Sequence, residues 1–199
     1  LQLTDVSIIA NAGYMGAGAY LGGGCDLQMS GGEVSDHTAS ASGGGVYIDS
    51  ASASFSGTTF LNNYGAGGGA VAVSTGELTL SEVWMEGNSA NAGGALYASQ
   101  STVDMDGSTL TANAAGSSFG GAVWLFNAGE MAITDSVIDG NEAPLAGGAF
   151  ALSVSSSLSL TDTTVSSNSA GFLGGGGVYM DTTSSCLLYT SPSPRDRYG

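Results

Sequence analysis

The sequence predicts an all-β solenoid of about seven coils with three short strands in each coil. Three observations support this fold class: a glycine pair recurs seven times, an Asn-type position recurs seven times, and apolar residues alternate between these two landmarks. A repeat of roughly 25 residues is the length of one solenoid turn, and such a short unit buries its apolar face only by stacking on its neighbours. No segment keeps a helical period of 3.6 residues, so helices are not expected.

The first landmark is a glycine pair followed by a small residue and an apolar run, as in Gly68-Gly69-Ala70-Val71. Glycine adopts backbone angles closed to other residues and permits close backbone approach. We therefore expect these glycines to mark a corner between strands of each coil. The second glycine of each pair stands at Gly18, Gly45, Gly69, Gly94, Gly121, Gly148 and Gly177.

The second landmark is a polar residue three positions after an apolar one, with Ala or Gly two positions further on. Stacked Asn side chains can form an amide ladder along a solenoid axis, and an imidazole can continue it. A structural ladder is the predicted role of this position. Its members are Asn11, His37, Asn63, Asn88, Asn113, Asn141 and Asn168.

The interval from a corner glycine to the next ladder residue is nearly constant, whereas the return interval varies more in proportion to its length. The constant interval is therefore predicted to hold the strands and the variable one a loop. Apolar pairs such as Leu78 and Leu80 alternate with polar residues inside it, which indicates a strand with one buried face. The three predicted strands follow the glycines, surround this apolar pair, and lead up to the ladder residue.

Two parts of the chain differ in composition. Residues 1–185 read as one β-helix repeat domain that begins inside a repeat and shows no signal peptide. We expect this domain to be a piece of a longer array, and its end coils could stack on other coils. Residues 186–199 hold both arginines, Arg195 and Arg197, and two of the three prolines. We expect this tail to be a non-native or disordered segment.

The charge balance narrows the classes of partner. The formal net charge is -15, and no Lys or Arg precedes Arg195. Nucleic-acid binding needs cationic contacts to phosphates, and an anionic membrane surface needs a polybasic patch, so neither partner is expected. The sequence also has no apolar stretch of the ~20 residues that span a membrane. Metal cations, neutral glycans and basic protein surfaces stay open as partners, and the acidic surface suits an extracellular or cell-surface location.

These landmarks carry a family resemblance over about residues 1–181. Phe60-Leu61-Asn62-Asn63 and Gly93-Gly94-Ala95-Leu96 resemble the two motifs of chlamydial-type polymorphic outer-membrane protein repeats. The whole pattern is similar to the right-handed parallel β-helix of the pectin-lyase-like superfamily. The resemblance implies a right-handed parallel β-helix and a surface protein of the adhesin type.

Carboxylates are the abundant ionisable groups, and Asp5, Glu82, Asp135 and Asp162 share one position of the repeat. Asp135 and Asp162 fall in adjacent coils, about one strand spacing apart. They could bind a shared Ca²⁺ ion or act as the acid and base of a carbohydrate-active lyase or hydrolase, but exposed corner residues are the favoured interpretation. The sequence therefore predicts no cofactor and no catalytic residue. For His37 too, a structural role in the ladder is favoured over a catalytic role.

A last column, two residues after each second glycine, contains Tyr20, Tyr47, Phe150 and Tyr179. If it faces outward, it forms an aromatic stripe suited to glycan stacking or protein contact; the opposite orientation is open, because apolar residues also follow it. The favoured function is a non-enzymatic, adhesin-like or structural solenoid. The alternatives are the carbohydrate-active enzyme and an ice-binding solenoid that would use the outward Ser/Thr column.

Overall fold

A computed structural model describes residues 1–189 and shows a parallel β-solenoid of about seven coils. Each coil contributes one strand to each of four parallel sheets, which we call sheets A, B, C and D in the order that the chain visits them. Every strand pairs with the equivalent strand of the next coil, for example Leu78 with Val103 and Leu80 with Met105 in sheet A. The chain therefore stacks the alternating apolar residues of successive coils directly on one another.

The strands are short and evenly repeated. Sheet A contains β1 Gln2–Thr4, β5 Asp26–Ser30, β9 Ser52–Ser56, β13 Glu77–Ser81, β17 Thr102–Asp106, β21 Glu130–Thr134, β25 Ser157–Thr161 and β29 Ser185–Tyr189. Sheet B contains β2 Ser7–Ile9, β6 Glu33–Ser35, β10 Thr59–Leu61, β14 Trp84–Glu86, β18 Thr109–Thr111, β22 Val137–Asp139 and β26 Thr164–Ser166. Sheet C contains β3 Ala12–Gly13, β7 Thr38–Ala39, β11 Tyr64–Gly67, β15 Ser89–Ala92, β19 Ala114–Ala115, β23 Glu142–Ala143 and β27 Ser169–Ala170. Sheet D contains β4 Ala19–Gly22, β8 Val46–Asp49, β12 Val71–Ser74, β16 Leu96–Ser99, β20 Val123–Phe126, β24 Phe150–Ser153 and β28 Val178–Met180.

Each coil contains one strand more than the three that the sequence predicts, and this additional strand lies in sheet C. These strands directly follow the ladder residue and lie in the interval predicted to be a loop. Most have only two residues, such as Ala114–Ala115, and their buried positions hold Ala or Gly in place of large apolar side chains. A pattern search based on alternating hydrophobicity has no signal to detect in such a strand.

The core runs along the solenoid axis and is lined by the inward residues of the sheets. Phe55 and Phe60 are fully buried and meet edge to face, with ring centroids 5.0 Å apart. Leucine, valine, isoleucine and methionine side chains continue this stack in the neighbouring coils. Aromatic and aliphatic burial, with parallel backbone ladders, holds together a body that has no Lys or Arg.

Residues with a left-handed backbone occur at all four corners of the coil. Three corners accept side chains there: Asp135 (φ 48°) between sheets A and B, Ala112 (φ 52°) between B and C, and Thr75 (φ 55°) between D and A. The corner from sheet C to sheet D has glycine in every coil, at Gly16, Gly43, Gly68, Gly93, Gly120, Gly147 and Gly175. A Cβ at any of these would lie within 3 Å of the carbonyl oxygen three residues ahead. Steric contact, in addition to the φ angle, therefore requires glycine at this corner.

The observed register corrects the predicted alignment of the glycine pairs. Val46 pairs with both Ala19 and Val71, so Gly18 and Gly45 lie opposite Ala70 rather than Gly69. The pairing of Val178 with Phe150 likewise places Gly177 opposite Ala149 rather than Gly148. Gly16-Ala17-Gly18 in the first coil, and runs of three or four glycines in the second and seventh coils, allow the pair to be placed in two frames. The predicted frame of these three coils differs by one residue from that of the four middle coils.

The predicted tail is ordered over its first residues. Strand β29 (Ser185–Tyr189) pairs with β25 and adds an eighth strand to sheet A, four residues beyond the predicted domain boundary. Residues 190–199, which contain both arginines and the remainder of the predicted tail, lie outside the described residues.

Candidate ligand-binding face

The outer surface of sheet D carries most of the aromatic residues that are not in the core. Along each sheet D strand the first and third residues point into the core, as Val46 and Ile48 do, and the second points outward. The outward column reads Tyr20, Tyr47, Ala72, Tyr97, Trp124, Ala151 and Tyr179. Phe126, further along β20, and Phe119, in the loop before it, contact Trp124. We call the rings of Tyr20, Tyr47, Tyr97, Phe119, Trp124, Phe126 and Tyr179 the aromatic face.

This arrangement corrects the predicted aromatic stripe. Tyr20, Tyr47 and Tyr179 belong to the outward column, but Phe150 is fully buried in the core. The predicted stripe combines two frames: it takes an outward position in the first, second and seventh coils and an inward position, such as Phe150, in the four middle coils. The same error concealed Tyr97 and Trp124, which follow the predicted stripe by one residue. Aligning the coils on the strand following the glycines would have found both.

The rings of the aromatic face form two groups. Tyr20 and Tyr47 stack with centroids 5.6 Å apart and planes 17° apart. Trp124 is the centre of the second group and contacts Tyr97, Phe119 and Phe126 at centroid distances of 5.4, 5.9 and 5.2 Å. Phe119 in turn stacks on Tyr179 at 5.7 Å.

The two alanines of the outward column show how closely the rings cover the sheet. Ala72 and Ala151 point away from the core, yet both are fully buried. The larger rings of the neighbouring coils flank both positions in the outward column. Sheet D therefore has an apolar layer on each side, and the outer layer is partly open to solvent, with Tyr20 56% exposed.

Polar groups lie at the edge of the aromatic face. The Tyr20 hydroxyl donates to Asp49 Oδ2 at 3.4 Å, and Ser50 donates to Asp49 Oδ1 at 3.2 Å. Trp124 Nε1 donates to Ser153 Oγ at 3.4 Å. Burial raises the pKa of Tyr47, and the negative charge of Asp49 raises it further. Burial also raises the pKa of Tyr97. These tyrosines stay neutral donors through the physiological pH range.

The ladder residues from His37 to Asn141 are buried inside the solenoid, where sheet B turns into sheet C, whereas Asn168 is half-buried and Asn11, in the first coil, is exposed. Asn113 Nδ2 donates to Asn141 Oδ1 and to the Met85 carbonyl, both at 3.0 Å, while Asn113 Oδ1 accepts the backbone and side-chain N–H groups of Asn88. The same pattern links Asn63 to Asn88 and Asn141 to Asn168. Each side chain from Asn63 to Asn141 thus connects one coil to the next with both of its amide hydrogens donated.

His37 occupies one position of this ladder. Its Nδ1 accepts the Asn11 backbone N–H at 2.9 Å, and its Nε2 lies 3.0 Å from the Ile8 carbonyl. The neutral tautomer with the proton on Nε2 satisfies both contacts. Asp36, the adjacent carboxylate, is exposed while His37 is fully buried. At this left-handed corner between β6 and β7, Asp36 is therefore directed to solvent and His37 to the interior.

The carboxylate column lies at the corner between sheets A and B. Asp5, Glu82, Asp135 and Asp162 all have φ values of 48° to 54° there. Aspartate tolerates this left-handed conformation better than most residues, which gives these positions a backbone role. Asp135 and Asp162 are both exposed, and among residues 1–189 no cluster of three or more His, Cys, Asp or Glu side chains could hold a metal ion.

Four parallel sheets wound from successive coils define the class of the protein as a parallel β-solenoid. The model of one family, the right-handed beta helix region, matches residues 2–191, and the chain belongs to this family. No curated protein and no solved structure matches the chain significantly. Over residues 1–189 the structure contains no helix of the length and apolarity that crossing a membrane requires.

Proposed function

We propose that this chain is a non-enzymatic, adhesin-like solenoid of the cell surface or extracellular space, and that it binds its ligand on the aromatic face. The observation that carries this proposal is the seven aromatic side chains that line the outside of one sheet. Partly exposed aromatic clusters of this kind are typical of interaction sites, because tyrosine and tryptophan combine apolar area with a polar handle. The resemblance to polymorphic outer-membrane protein repeats and to pectin-lyase-like β-helices agrees with a surface protein.

The remaining surfaces support the proposal less well. The exposed carboxylates Asp135 and Asp162 lie at a corner where the left-handed backbone angle accounts for the presence of aspartate. The ladder residues from Asn63 to Asn141 are buried and hydrogen-bonded to one another and to backbone groups. Neither the backbone conformation nor packing in the core accounts for the seven aromatic side chains of the aromatic face.

The test is a binding screen on arrays of defined glycans and purified extracellular proteins. We expect the wild-type domain to be retained at particular array positions, and a Tyr20→Ser/Tyr47→Leu variant to lose that retention. Trp84→Ser is the matched control, because Trp84 is an exposed aromatic residue on the outer side of sheet B. Circular dichroism of each variant checks that the solenoid is intact.

Two results would contradict the proposal. Retention that survives the sheet D substitutions but is lost in Trp84→Ser would place the binding surface elsewhere. New polysaccharide chain ends produced by the wild type, and not by Asp135→Asn, would show an enzyme.

A further inference from the structure

The aromatic face lacks a cation from its own chain. In most proteins some aromatic rings pair with Lys or Arg, roughly once per 70–80 residues. Here no Lys or Arg precedes Arg195, and the formal net charge is -15. The negative faces of these rings therefore have no intramolecular cation partner within the described residues, and the charge of the solenoid attracts cations from outside.

The Tyr20–Tyr47 group has the parts of a guanidinium subsite. The two rings are nearly parallel, and the Asp49 carboxylate lies beside them at the end of β8. A guanidinium group is planar, stacks on aromatic rings and makes paired hydrogen bonds with a carboxylate. An ammonium group lacks the planar stacking surface. The hydroxyl groups of an uncharged sugar could donate to Asp49, but such a sugar would gain nothing from the net charge of the molecule.

The Trp124 group provides a second subsite in the same column. Tyr47 and Trp124 are three strands apart, which corresponds to about 14 Å at the usual strand spacing. An extended peptide covers that distance in about four residues, and residues i and i+4 of a strand face the same side. Two arginines four positions apart would therefore reach the two groups together.

We propose that the ligand of the aromatic face is a basic protein segment that lies extended along the solenoid axis, with one arginine against Tyr20, Tyr47 and Asp49 and a second against Trp124. The proposal rests on the proposed function and names the partner class of that same face. Charge selects this occupant over a second copy of the chain, because two copies at -15 each repel one another.

The test uses a nine-residue peptide of Gly and Ser with two arginines four positions apart, and the same peptide with both arginines replaced by neutral citrulline. Binding is followed by Trp124 fluorescence in a Trp84→Phe background, at 0.15 M NaCl to suppress long-range attraction. We expect the arginine peptide to bind and the citrulline peptide to bind at least about tenfold more weakly. Tyr47→Leu, which keeps apolar cover but removes the ring, and Asp49→Asn should each weaken binding about fivefold.

Asp104→Asn is the matched control, because it removes one exposed charge from the outer side of sheet A. It should change the affinity less than twofold. Equal losses of affinity in Asp104→Asn and Asp49→Asn would overturn the inference, because they would show nonspecific charge attraction. Equal binding of the two peptides would also overturn it, because it would show that the face does not need a cation. If neither peptide binds while the array screen finds a glycan on the aromatic face, the inference fails and the proposed function stands. If the screen also finds no ligand on that face, both fail.

Discussion

At the residue scale, the molecule depends on polar side chains that complete backbone hydrogen bonding between coils. A buried amide without partners costs free energy, so an internal polar column is stable only when every group is paired. Asn88, Asn113 and Asn141 meet this condition, because each donates both amide hydrogens and accepts from the preceding coil. The ladder therefore fixes the register of stacking as well as adding stability.

Replacing one ladder residue tests this reasoning. Asn113→Ala would leave the Met85 carbonyl, the Asn88 backbone N–H and the Asn141 side-chain oxygen with fewer partners in the interior. We expect the free energy of unfolding to fall by about 3 kcal/mol, measured by urea denaturation. Asn91→Ala is the control, since Asn91 is an exposed residue of the neighbouring strand β15, and its loss should cost less than about 0.5 kcal/mol. Equal effects would show that the ladder bonds add nothing.

The tyrosines of the aromatic face predict a specific response to alkali. Their pKa values lie above the ordinary 10.0 in the folded protein, so the unfolded chain loses its phenol protons first as the pH rises. The contribution of these two tyrosines to stability should be constant below pH 10 and fall above it, and the tyrosinate absorbance of Tyr47 and Tyr97 should develop at a higher pH in the folded protein than in the protein unfolded by urea. The double variant Tyr47→Phe/Tyr97→Phe should reduce the loss of melting temperature between pH 9 and 11. An unchanged loss would mean that other groups cause it.

At the element scale, the corners decide how closely the coils stack. Left-handed residues at three corners can carry side chains because their Cβ atoms reach open space or solvent, whereas the corner from sheet C to sheet D brings backbone into contact with backbone. At Gly121, the neighbour of the left-handed Gly120, a Cβ would lie within 3 Å of the carbonyl oxygens of Gly148 and Glu142. The first glycine of the pair is therefore required by both its backbone angle and steric contact, and the second by steric contact alone.

Two alanine substitutions separate these effects. Gly121→Ala should destabilise by about 3 kcal/mol or more, because rigid backbone atoms of the next coil cannot move aside. Gly57→Ala, at a left-handed corner with nothing within 4 Å of the added Cβ, should cost only about 1 kcal/mol. Thermal denaturation of the two variants gives the comparison. Similar costs would indicate that the corner is not closely packed.

The same corners explain which elements the sequence could predict. Sheets A and B follow from alternating apolar pairs such as Leu78 and Leu80, and the ladder position follows from its seven occurrences. Sheet C has no such signal, because Ala and Gly strands are defined by their neighbours rather than by their own side chains. The aromatic face was only partly predictable, since glycine runs leave the frame ambiguous by one residue and a one-residue shift exchanges the two faces of a strand.

At the scale of the whole molecule, each coil pairs its strands only with those of the coils next to it, and the stacking of Phe119 on Tyr179 is a side-chain contact that reaches one coil further. Stability in such a solenoid is approximately a sum of coil and interface contributions, so a coil should be removable if the register is preserved. The pairing of Leu78 with Val103 defines a unit of 25 residues at that point. Deleting residues 79–103 would join Leu78 to Asp104 and keep every later side chain on its own face.

We expect this shortened protein to fold, with a parallel β signal in circular dichroism, a cooperative thermal transition and a solenoid shorter by about 4.8 Å in small-angle scattering. Deleting residues 79–102 is the control, because it leaves Val103 directly after Leu78. That single extra residue turns Asp104 toward the core and Met105 toward solvent, so the cooperative transition should be lost. Two deletions that behave alike would show that neighbour-to-neighbour stacking does not govern the fold, since only the first preserves it.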